Sequence, residues 1–111
     1  QAGLVYFWAE WCPVCKTTAG SVSSIDTDWP VISVAVQSGD DATVARHMQA
    51  SNYRWTTVND ALGEWLRRFG LPGTPAFAII APDGNIRFVA VGYTSEIGLR
   101  LRLWWASWQT T

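Results

Sequence analysis

Lysine occurs once in these 111 residues, histidine once, methionine once and cysteine twice. Each scarcity rules something out. One Lys and seven Arg against nine acidic residues leave a net charge of −1, so there is no basic stripe for a nucleic-acid backbone and no polybasic membrane patch. No uninterrupted apolar run approaches the roughly 18 residues that a bilayer-spanning helix needs. Two cysteines and one histidine fall short of the Cys and His count of structural zinc sites. Repeats, linkers and low-complexity stretches are missing as well, which reads as one domain spanning 1–111. A recognisable leader is also missing. The chain opens on Gln1 rather than methionine and enters an apolar run almost at once, so an upstream anchor or strand outside this sequence is expected.

What is present is apolar and aromatic. Apolar residues make up 49% and charged residues 15%, enough for a real hydrophobic core at this length. Eight tryptophans are unusual, and that many suggests that some line an exposed surface rather than the core. "LVYFWA" (4–9) reads as a buried strand. Pro13, favoured at a first helical position, starts a helix at Cys12–Pro13 that runs to about Ile25. "PVISVAVQ" (30–37) is a second buried strand, and Asp40 and Asp41 cap a helix with Val44 and Met48 on one face. "YRWTTV" (53–58) reads as a short strand. A helix is then predicted over "NDALGEWLRRFG", capped by Asn59 or Asp60, with Leu62, Trp65, Leu66 and Phe69 on one face and Gly70 as the stop. "AFAIIA" and "IRFVAVG" form a hairpin around "PDGN". In the tail, Ser95 caps a helix whose Ile97, Leu101, Trp104, Trp105 and Trp108 make an apolar stripe, placed here on a sheet face. Early strand–helix alternation implies parallel strands, and the hairpin adds an antiparallel edge: an α/β domain.

The two cysteines stand three apart in "EWCPVCK". As a staple, the pair would close almost no loop and constrain the unfolded chain little. As a clamp, Cys12 and Cys15 would need help from His47, a set that suits Cu(I) better than zinc. As a redox couple, the placement explains itself. A helix start brings two sulfurs at this spacing within disulfide reach. Cys12 sits where free backbone N–H groups and the positive end of the helix dipole stabilise a thiolate. Cys15, one turn in and more enclosed, is suited to attack a mixed disulfide. Geometry therefore makes Cys12 the nucleophile and Cys15 the resolving thiol.

"VYFWAEWCPVCK" resembles the active-site segment of the thioredoxin superfamily, with "WCxxCK" intact. "RFGLPGTPAFAII", about sixty residues later, is similar to the family's loop and strand holding a cis proline, and "PDGNIRFVAVG" to its closing hairpin. Residues 38 to 58 resemble the helix–strand insertion after the second strand in the TlpA/ResA-like branch, and "WCPVC" resembles its copper-tolerance type. The resemblance implies a thioredoxin-like fold, a central mixed sheet flanked by helices. It implies a cis Thr74–Pro75 bond facing the cysteines, with Trp11, Pro13 and Val14 beside it as the surface where a substrate docks. In thioredoxins proper a buried acid occupies the position of Tyr6, which cannot serve as a base near neutral pH. Glu10, the nearest carboxylate in sequence, is then the candidate proton relay, with Asp60 and Glu64 behind it.

The expected function is protein thiol–disulfide exchange in the cell envelope, without an organic cofactor or metal. A membrane thiol transporter is the implied redox partner, and the bacterial periplasm, on a membrane anchor, the implied location. Two alternatives stay open at this point: a copper-binding metallochaperone, and a non-catalytic interaction module using a tryptophan-rich face.

Overall fold

The computed structural model describes residues 1–108. Nine elements follow in the order β1 (Gly3–Trp8), α1 (Pro13–Asp26), β2 (Val31–Val36), α2 (Asp41–Ser51), β3 (Thr56–Asp60), α3 (Glu64–Arg68), β4 (Ala76–Ile80), β5 (Ile86–Val91) and α4 (Glu96–Ser107). The five strands form one mixed sheet in the order β3-β2-β1-β4-β5. β1 pairs in parallel with β2 and β2 with β3, whereas β4 runs antiparallel to both β1 and β5. This is the thioredoxin-like architecture.

Strand alternation divides the core. Tyr6, Trp8 and Phe77 face one side and are covered by Ala19, Val22 and Ile25 of α1, Val44 of α2, and Leu99 and Leu103 of α4. Phe7, Val34, Val36 and Ala76 face the other side, where only Leu66, Phe69 and Leu71 from α3 and its following loop pack on them. Three helices thus cover one face and one short helix part of the other. Ile32, Val58, Val89 and Val91 stay exposed.

Local chemistry explains the element ends. Asp40 caps α2 by accepting the Thr43 N–H at 2.8 Å, and Ser95 caps α4 by accepting that of Gly98 at 3.1 Å. In the hairpin turn the Asp83 carboxylate accepts the Asn85 N–H, and Gly84 takes the left-handed φ of +89°.

Three expectations need correction. The third strand lies at 56–60, not 53–58, because Tyr53 and Trp55 turn into an aromatic cluster with Trp8. The helix expected over 59–69 shrinks to Glu64–Arg68. Asp60 ends β3, and Gly63 adopts a left-handed φ of +74°, so Leu62 points to solvent. The stripe on α4 faces outward: Leu99, Leu103 and Ala106 fill the core, while Ile97, Leu101, Trp104, Trp105 and Trp108 are exposed.

Candidate active site

β1 lies in the middle of the sheet, and its C-terminal end delivers the chain straight into α1. Trp8, the last strand residue, is buried, and its indole N–H donates to the Ser33 hydroxyl, which is 2.7 Å from that of Thr57. The turn after it closes with the Cys12 N–H on the Ala9 carbonyl. Cys12 is the N-cap of α1 in extended conformation, and Pro13 takes the first helical position, where a missing N–H costs nothing.

Cys12 and Cys15 are joined as a disulfide, with Cα atoms 5.3 Å apart. The Cys15 N–H donates to Cys12 Sγ at 3.2 Å, so the first sulfur plays the part that a Ser or Asp oxygen plays at other N-caps. No acidic residue occupies the first turn of α1 to oppose negative charge there. These features favour a thiolate on Cys12 once the bond is reduced. Enclosure does not separate the two sulfurs as expected: Cys12 is 4% exposed and Cys15 3%. The asymmetry lies in hydrogen bonding and position along the helix.

Beside Cys15 stands Tyr6. Its hydroxyl donates to the Cys15 carbonyl at 3.1 Å and lies 2.9 Å from Thr18 Oγ1, while its ring stacks on Phe77. Burial drives the phenol well above its ordinary value near 10, against the opposing effect of the Thr18 hydrogen bond. Tyr6 is therefore neutral throughout the physiological range, a fixed polar strut and not a base.

The remaining expected residues divide between mouth and surroundings. Trp11 is about half exposed, and its indole N–H donates to the Gln37 carbonyl at 3.0 Å. The Glu10 N–H donates to the buried Ser38 hydroxyl, while the rest of Glu10 is exposed. Residues 37 and 38 thus tie down the segment before the cysteines, a role the sequence reading missed. No local sequence signal marks it: Gln37 adopts a left-handed φ of 48°, which composition cannot reveal. Pro13 and Val14 are exposed on the first turn of α1.

The Thr74–Pro75 peptide bond is cis. Ala76 pairs with Phe7 across β1 and β4, so this bond lies at the same end of the sheet as Trp8 and the dithiol. The Pro75 carbonyl accepts the Gly92 N–H at 2.8 Å. Among the described residues, the Thr74 amide and carbonyl find no backbone partner, and its buried hydroxyl has none either.

The other candidates are engaged elsewhere. Asp60 is buried and caps α3, its carboxylate accepting the N–H groups of Glu64, Trp65 and Leu66 at 2.8, 3.1 and 3.2 Å. Glu64 is exposed on that helix. His47 stacks on Trp8 with ring centroids 5.6 Å apart. Among the described residues, no three His, Cys, Asp or Glu side chains converge on one point.

Comparison with known proteins places this arrangement. The family model described as Redoxin matches residues 2–99. A thioredoxin-like protein of Haemophilus influenzae is 36% identical over 104 residues, covering 93% of this chain and 62% of that protein. The chain therefore spans about three fifths of that relative's length. A secreted Mycobacterium tuberculosis disulfide oxidoreductase of known structure is 27% identical, with a TM-score of 0.75 over 93% of this chain and 80% of that one. M. tuberculosis DsbF, at 24% identity, shares the fold with a TM-score of 0.84 over 96% of this chain and 81% of its own. With its paired cysteines at the start of α1, the chain belongs to the redoxin family of the thioredoxin superfamily.

Proposed function

We propose that this domain exchanges disulfides with protein substrates outside the cytoplasm, with Cys12 as attacking thiolate and Cys15 as resolving thiol. The observation that carries the reading is the cap itself: Cys12 Sγ accepts the Cys15 N–H at the start of a 14-residue helix. In the reducing direction Cys12 thiolate attacks one sulfur of a substrate disulfide, forming a mixed disulfide and releasing the other substrate sulfur as thiolate. Cys15 then loses its proton and attacks Cys12 Sγ. The Cys12–Cys15 bond forms, the second substrate sulfur departs, and both released thiolates take up protons. Two electrons pass from the dithiol to the substrate, and a partner must restore them. The oxidising direction runs the same steps in reverse.

The surroundings support a polypeptide substrate. Trp11, Pro13 and Val14 offer an exposed, largely apolar wall, and the free Thr74 amide and carbonyl suit the main chain of an extended segment. Glu10 is proposed as the carboxylate through which the Cys15 proton leaves. The secreted relative supports a cell-envelope location, where an anchored form and a membrane thiol-transport partner complete the reading. Cys12→Ser is expected to abolish exchange, and Cys15→Ser to accumulate a mixed disulfide through Cys12. Failure of the wild-type pair to equilibrate with a glutathione redox series would sink the proposal.

A further inference from the structure

Thiol exchange leaves one surface of the molecule unused. α4 is apolar on two opposite sides: Leu99, Leu103 and Ala106 face the core, whereas Ile97, Leu101, Trp104, Trp105 and the C-cap residue Trp108 are 53 to 73% exposed. The water side of a surface helix normally carries its charges. This stripe carries none, and the helical period puts Arg100 and Arg102 at its two margins. Together the five side chains expose apolar surface on the order of several hundred Å², the upper range for a soluble monomer.

Hydrogen bonding identifies what fits. An indole N–H only donates. The indoles of Trp8, Trp11 and Trp55 donate to Ser33, Gln37 and Ser23, whereas those of Trp29, Trp65, Trp104, Trp105 and Trp108 have no protein acceptor among the described residues, and three of these five lie together on the outer face of α4. The stripe offers no acceptor side chain of its own. A second copy of this face would bury donors against donors. The complementary surface is apolar, rich in acceptors and negative beside Arg102, since Asp28 and Glu96 already neutralise Arg100.

We propose that the outer face of α4 docks on the interfacial layer of an anionic phospholipid bilayer. Leucine, isoleucine and the indole rings enter the acyl boundary, and the indole N–H groups meet ester carbonyl and phosphate oxygens. Arg100 is held by Asp28 and Glu96, whereas Arg102 makes no ion pair among the described residues and is the cation available to a headgroup. With a net charge of −1, apolar insertion rather than long-range attraction drives the contact. Arg100 bonds Ser24 and Asp28 at the C-terminal end of α1, the end opposite Cys12, so docking leaves the dithiol open. The inference stands apart from the exchange reaction, and either can fail without the other.

The test is co-sedimentation of the 111-residue chain with phosphatidylethanolamine–phosphatidylglycerol vesicles, alongside quenching of tryptophan emission by brominated acyl chains. Binding is expected, and Trp104→Ser/Trp108→Ser or Leu101→Ser/Trp104→Ser should weaken partitioning about tenfold or more. Arg102→Gln should weaken it several-fold, roughly the effect of one basic residue near an anionic surface. Circular dichroism and thiol-exchange rate should be unchanged in all three variants. Absence of vesicle binding by folded wild-type protein would overturn the proposal, as would equal binding by the variants. A concentration-dependent dimer in sedimentation velocity, abolished by the same substitutions, would assign the stripe to a second copy instead.

Discussion

Next to the Cys12–Cys15 disulfide the chain places a phenol where an acid would assist proton transfer. Tyr6 is held by Cys15 and Thr18 and kept neutral by burial. Its ionisation is suppressed in the folded state and normal in the unfolded one, so its contribution to stability is complete below about pH 10 and lost as pH rises beyond. Wild-type stability should therefore fall above about pH 10 by about 1.4 kcal/mol per pH unit from this group alone. Tyr6→Phe should flatten that slope while lowering stability at pH 7 by about 1 kcal/mol, both read from urea unfolding across pH. Glu10 is the other residue to change. If it carries the Cys15 proton, Glu10→Gln should slow resolution of a mixed disulfide about tenfold at neutral pH in stopped-flow measurements. Unchanged kinetics would return it to the solvated surface.

At the scale of elements, Asp60 shows how a side chain decides where a helix begins. Its carboxylate takes three N–H groups of α3 while its own carbonyl accepts the Gln37 N–H. Asp60→Ala should cost about 2–3 kcal/mol, seen as a lower urea midpoint. It should also loosen the Gln37 loop that holds Trp11, seen as a change in Trp11 emission. The sequence left the cap between Asn59 and Asp60 and extended the helix back over Leu62, because apolar spacing says nothing about the left-handed turn at Gly63. α4 was misjudged for a related reason. Its capping serine was legible, but with large apolar residues on two sides periodicity cannot say which side meets the sheet. The smaller set, Leu99, Leu103 and Ala106, packs inward where α4 meets α1 and β4. The dithiol was readable because strand, cap and proline lie within a dozen residues. The ties from Trp11 and Glu10 to Gln37 and Ser38 span 26 and 28 positions, and no local pattern encodes them.

Across the whole molecule, charge is kept almost entirely at the surface. Asp60 is the one buried carboxylate among the described residues, and α3 occupies it fully. The neutral Tyr6 beside the cysteines has an electrochemical consequence. Because Tyr6 holds its proton, it adds none to the couple, and a relay such as Glu10 passes protons on without changing how many accompany the two electrons. Its midpoint potential should drop by about 60 mV per pH unit while both thiols are protonated and by about 30 mV once Cys12 is ionised, since each proton carried with two electrons is worth about 30 mV. A plot of potential against pH should thus bend only where the two thiols ionise. A further bend would mean that another group titrates in step with the disulfide.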